Sequence, residues 1–236
     1  MQKDHSSPSP RRKFLGTIAA GAAALGLASI PAPLQAMPLN TVEKEDSGPD
    51  SPDAWFNDIN GKHRIVFDVV YPKQGHEAIL PFAWPKVFLL TNAATGTNEK
   101  DNSVVVVLRH SAIPYAMEDR VWKDYKLGEF FGIKDREGKE SAVSNMMWKP
   151  SPAFEVPGVG PVPIGINDQQ ASGVKFCVCD MALTVNSFLV AKGMGKNPEE
   201  VKKDWLKGIL PGIKVMPSGL WAVGRAQEHK CSYVAV

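Results

Sequence analysis

The sequence predicts an α/β fold, a three-layer sandwich around a five-stranded, mainly parallel sheet. Three observations carry that prediction. Short β-branched apolar runs recur along the chain, and segments with helical spacing separate them. One run, residues 103–108 (SVVVVL), holds four consecutive valines. Such a strand is buried on both faces, as in a parallel sheet covered by helices. Strands alternating with helices give βαβ units and a layered α/β domain.

The elements follow in order. Residues 64–70 (RIVFDVV) read as the first strand. Residues 75–94 are helix-like but carry Pro81 and Pro85, so a kinked or split helix is expected. The valine run is the second strand, and residues 116–127 form a shorter helix. Residues 174–179 (VKFCVC) are the third strand. After it, Met181, Val185, Phe188 and Leu189 sit at i, i+4, i+7 and i+8, an amphipathic stripe. Asn197-Pro198-Glu199-Glu200 has a capping residue, a first-turn proline and first-turn acids, a helix start. Residues 213–216 (IKVM) and 232–236 (SYVAV) are the fourth and fifth strands, with a helix over 218–229 between them. One segment breaks the rhythm. Residues 145–165 carry Pro150, Pro152, Pro157, Pro161 and Pro163, so a long Pro-rich insert, a lid or partner surface, is expected there.

The ends of the chain differ from this domain. Residues 9–16 read Ser-Pro-Arg-Arg-Lys-Phe-Leu-Gly, and an uncharged run of Ala, Gly and Leu extends to Ile30. Paired arginines before such a run are an address for the twin-arginine translocation machinery. Residues 1–36 are therefore expected to be a signal segment, with cleavage after Ala36, and the protein to reach the periplasm or cell envelope. Residues 37–62 read as a polar linker and residues 63–236 as a single domain. The chain has 27 Lys+Arg and 25 Asp+Glu, of which residues 1–36 hold four and one. The remainder carries 23 against 24, a net −1, so no basic block argues for nucleic acid.

Ligands of an open parallel sheet bind beyond the carboxyl ends of its strands. Arg109, His110 and Ser111 follow the second strand, Cys179 ends the third, and Ser218 and Gly219 follow the fourth. Cys179 is the sharpest candidate, because a strand-to-helix handover offers unpaired N–H groups and a helix dipole to a thiolate. Arg109 and His110 would add positive charge, although Arg109 has Glu118 and Asp119 as rival partners. Ser111, Ser218 and Gly219 are candidate ligand-rim residues. A Cys-x-Cys pair without further ligands does not make a metal site, so neither metal nor cofactor is expected.

The runs SVVVVLRHSAIPYAMEDRVWKDYKLGE, GVKFCVCDMAL and LPGIKVMPSGLWAVGRAQEHKCSYV resemble the DsrE/DsrF-like superfamily, and within it the twin-arginine-exported members of unassigned role. The resemblance covers about residues 63–236 without the Pro-rich insert. It implies the five-stranded sheet and a homo-oligomer, trimer or hexamer. It also implies sulfur relay through a persulfide on a cysteine after a central strand, the position that Cys179 matches. Two expectations follow. One is a thiol-based sulfur carrier or redox protein. The other is a non-catalytic small-ligand or partner-binding subunit of the cell envelope, using the Pro-rich insert.

Overall fold

A computed structural model describes residues 51–73, 77–156 and 158–236. The expected signal segment, and the linker as far as residue 50, lie outside the described residues. No helix among those described is long and apolar enough to cross a membrane.

Five strands form one all-parallel sheet: β1 (His63–Val69), β2 (Asn102–Leu108), β5 (Lys175–Cys179), β6 (Ile213–Met216) and β7 (Ser232–Ala235). Their spatial order is β6-β5-β2-β1-β7. The valine strand β2 therefore sits in the middle, which is why it is apolar on both faces. The register runs Val69↔Leu108 and Leu108↔Val178, so the carboxyl ends of β1, β2 and β5 are level. The chain steps from β1 to β6 in one direction and then returns to the far edge with β7. The fold is a three-layer α/β sandwich, as the sequence predicts.

The two faces of the sheet bury different sets. On one face, Val104, Val106, Leu108, Phe176 and Val178 pack with Phe82, Leu183, Val190, Val201 and Trp205. These last come from helices α1 (Leu80–Ala94), α5 (Asp180–Met194) and α6 (Pro198–Lys207). The other face sets Val66, Val105, Val107, Cys177 and Met216 against Ala222, Val223 and Ala226 of α7 (Gly219–Glu228). Phe56 and Ile59 complete that second core at 0% and 2% exposure, so the domain reaches back before residue 63. Short helices α2 (Asp119–Asp124), α3 (Leu127–Phe131) and α4 (Ile166–Ala171) fill the connection from β2 to β5. Two short helices thus stand where one over 116–127 was expected. Asn197 caps α6 as its sequence announces, accepting the N–H groups of Glu199 and Glu200 at 2.9 and 3.3 Å. Pro81 sits in the first turn of α1 and Pro85 inside it, and the helix continues through both to Ala94.

The apolar stripe of α5 corrects an expectation. Met181, Val185, Phe188 and Leu189 are 42–47% exposed, while Leu183, Ser187, Val190 and Ala191 face the core. The smaller residues Ser187 and Ala191 let the helix lie close to its neighbours, and the larger stripe faces outward.

The Pro-rich insert is more than a loop. Strands β3 (Phe154–Val156) and β4 (Gly160–Val162) pair antiparallel as a small separate hairpin. Its base is anchored in the core. Met147 and Ile164 are fully buried, and Asn145 is 3% exposed. The Asn145 amide donates to the Tyr115 and Met117 carbonyls at 2.8 and 2.9 Å, and its Oδ1 accepts the Met147 N–H at 3.1 Å.

Candidate functional site at the carboxyl end of the sheet

The level ends of β1, β2 and β5 bring Asp68, Arg109 and Cys179 to one rim. Arg109 and Cys179 each stand one residue beyond the Leu108↔Val178 pair, so they occupy neighbouring strand ends. Adjacent strands lie about 4.8 Å apart.

Cys179 ends β5 and caps α5. Its Sγ accepts the Ala182 N–H at 3.3 Å, so the sulfur takes one of the unpaired donors that open a helix. The residue is 7% exposed, leaving only a small part of it to solvent. It packs with the core on the α5 face, whereas Cys177, two residues earlier, lies in the core beneath α7. Alternation along a strand predicts one side for both. The capping turn ends that alternation at Cys179.

Burial opposes ionisation of the other two thiols. Complete burial pushes Cys177 far above its ordinary value. Burial also pushes Cys231 up to about 11, partly offset by the Arg64 cation. The strand order rules out an internal bridge between Cys231 and either of the others. Cys231 leads into β7, and β1 and β2 stand between β7 and β5. Three strand spacings make about 14 Å, against the ~7 Å limit for a disulfide. Cys177 and Cys179, at i and i+2, do not make one without strain. All three are free.

Arg109 pairs with Asp68, not with Glu118 or Asp119. Its Nε and Nη2 donate to Asp68 Oδ1 and Oδ2 at 2.6 and 2.9 Å. Asp68 is 1% exposed and also accepts the Tyr233 hydroxyl at 2.8 Å. The hydrogen bond to Asp68 raises the Arg109 pKa, burial opposes that, and the charges on Asp68, Tyr233 and Cys179 add to the rise. Tyr233 is likewise raised, first by its bond to Asp68. Glu118 instead takes Arg120 at 2.9 Å, and Asp119 accepts the Asn145 N–H at 2.8 Å.

The remaining candidates divide. His110 is exposed, has φ 51° and sets its ring edge-on to Tyr71 at 5.1 Å. No described hydrogen bond or ion pair joins it to Cys179. Ser111 is half-buried and gives its N–H to the Val70 carbonyl. Ser218 caps α7, its Oγ accepting the Trp221 N–H at 3.1 Å. Gly219 lies against Arg109: a Cβ there would stand 2.5 Å from Arg109 Cβ and 2.7 Å from Cδ. The rim thus joins Cys179, Arg109 and Gly219, and leaves His110 outside. Sequence reasoning missed Asp68 and Tyr233. The signal for Asp68 was present, because a carboxylate inside the apolar run RIVFDVV demands a buried cation. Among the described residues no group of three or more His, Cys, Asp or Glu side chains gathers to hold a metal ion.

A concavity lies away from this rim. A cleft of about 510 Å³ runs beside the base of the Pro-rich insert, lined by Val143, Met146, Trp148, Lys149 and Arg136 among others. Arg136 stacks over Phe154 at 4.1 Å and donates to the Pro152 and Ala153 carbonyls, which ties the hairpin to the preceding turn.

No protein-family model matches the chain. No curated protein matches it either. Among solved structures it is similar to a protein of unknown function from Methanobacterium thermoautotrophicum, at 14% identity over 74% of this chain and 99% of that one, with a TM-score of 0.39.

Proposed function

We propose that this protein is a thiol-based sulfur carrier of the cell envelope, a DsrE-like protein with Cys179 as its working cysteine. One observation carries the reading. Cys179 is the thiol whose sulfur accepts a backbone N–H at a helix start and whose strand end adjoins that of Arg109, while burial opposes ionisation of Cys177 and Cys231. The Cys179 thiolate attacks the outer sulfur of a donor persulfide. A new S–S bond forms at Sγ, the donor's S–S bond breaks, and the donor leaves as a thiolate. Transfer to an acceptor thiolate is the same exchange in reverse, so no external oxidant is needed. The envelope location rests on the arginine pair and apolar run of residues 9–30.

Incubation of the folded protein with a low-molecular-weight persulfide, followed by peptide mass mapping, tests this. One added sulfur atom on the Cys179 peptide is expected. Sulfur on Cys231 alone, or on no cysteine, contradicts it.

The proposal extends to self-association. Met181, Val185, Phe188 and Leu189 of α5, and Trp84, Val87 and Leu90 of α1, are all 42–49% exposed. Apolar stripes of this size are more often covered than solvated. A homo-oligomer, trimer or hexamer, would cover them. Phe188→Asp should then shift sedimentation to the monomer while the circular-dichroism spectrum stays that of the folded chain, since Phe188 lies outside the buried core.

A second reading rests on the cleft beside the Pro-rich insert. Its lining sets the Trp148 indole and the Met146 thioether among two cations and three carboxylates (Asp119, Asp135 and Glu140), which suits a small ligand or a partner's side chain of mixed polarity, as in a non-catalytic binding subunit. Quenching of Trp148 fluorescence by a ligand that leaves Cys179 reactivity unchanged would favour it.

A further inference from the structure

Asp68 is a carboxylate sealed in a strand, and its oxygens take three donors, two from Arg109 and one from Tyr233. A guanidinium is planar, so pairing through its Nε/Nη2 edge turns Nη1 away from the carboxylate. No hydrogen bond to Nη1 is found among the described residues. The carboxylate therefore fixes the plane of the cation.

A second constraint acts on the stem. Gly219 opens α7 with no left-handed backbone angle, so its conformation does not call for glycine. Glycine weakens a helix relative to alanine. The Arg109 stem explains its presence, because Cβ and Cδ of Arg109 fill the space a side chain at 219 would occupy. Arg109 is thus held at its head by Asp68 and along its stem by the bare backbone of α7. It stands at the β2 end, one strand from Cys179.

We propose that Asp68 and Gly219 are positioning residues for Cys179, holding the Arg109 guanidinium at the strand end next to it. This deepens the reading of Cys179 as the working thiol and rests on it. Asp68 acts through Arg109 and not through its own charge, and the sign of its effect separates the two. A carboxylate acting alone opposes a nearby thiolate, so its removal would speed attack by the sulfur. A carboxylate that holds the cation in place favours the thiolate, so its removal slows attack.

The experiment measures the rate of Cys179 alkylation by iodoacetamide across pH, on the full chain. Arg109→Gln should slow the neutral-pH rate on the order of tenfold, because the variant loses the nearby cation that favours the thiolate. Asp68→Asn and Gly219→Ala should each slow it several-fold and displace the pH–rate profile upward. In the Arg109→Gln background, Asp68→Asn should no longer slow the reaction. Gly219→Ala alters no charge, and it decides the matter if Asp68→Asn does not fold. A reactive Cys179 that Gly219→Ala leaves unchanged, or that Asp68→Asn accelerates, overturns the positioning role alone. A wild-type Cys179 that reacts no faster than Cys231 overturns the thiol reading beneath it.

Discussion

Replacing Cys179 with serine should abolish alkylation of the native protein. The chain has three cysteines, all buried; burial opposes ionisation of Cys177 and Cys231, and Cys179 alone caps a helix start at the rim of the sheet. Alkylation needs the thiolate, so at neutral pH Cys177 and Cys231 should react only after unfolding. The expected pattern is one label on the native wild type and none on the native variant. In guanidinium, labels should appear at all cysteines of each. Serine is a preferred helix cap, so the Ala182 N–H keeps an acceptor and α5 keeps its start. The melting temperature should therefore move little. Two labels on the native wild type would show that burial does not silence Cys231.

The largest expected loss of stability comes from Asn145→Ala. Asn145 joins the Pro-rich insert to the turn after β2 through three hydrogen bonds of its side chain, two donated and one accepted. Alanine leaves the Tyr115 and Met117 carbonyls and the Met147 N–H unpaired, and Tyr115, Met117 and Met147 are buried. At about 1 kcal/mol for each bond, the loss is about 3 kcal/mol. For a domain of this size that lowers the melting temperature by roughly 6–12 °C. A drop of only a degree or two would mean that water replaces the amide. The same anchoring means that the insert cannot be removed as a unit, because Met147, Phe154 and Ile164 belong to the core.

The sheet was legible in the sequence because its strands are short β-branched runs, and all five lie within a residue or so of their expected bounds. The capping Asn197 did the same for the start of α6, where it makes the bonds that its position calls for, whereas Ser218, read as a ligand-rim residue, caps α7. What remained hidden depends on contacts between distant segments. Helix α5 is apolar on two sides, and spacing alone does not say which side faces inward. The turn at Ala54–Asp58 lies in a polar stretch, yet Phe56 fills a hole in the second core. Arg109 has acids nearby in sequence, but strand order delivers Asp68 from β1 instead. Cys179 and Gly219 were legible as rim positions from the strand-end rule. Their link through Arg109 required the register.

That Cys179 carries sulfur is tested most directly on the protein recovered from the cells that make it. The chain should be trapped with an alkylating agent at lysis and the Cys179 peptide weighed before and after reduction. The account predicts a population in which Cys179 bears one extra sulfur atom that reduction removes, with Cys177 and Cys231 unmodified. A Cys179 found only as the bare thiol, under conditions that preserve persulfides on other proteins of the same lysate, would contradict it.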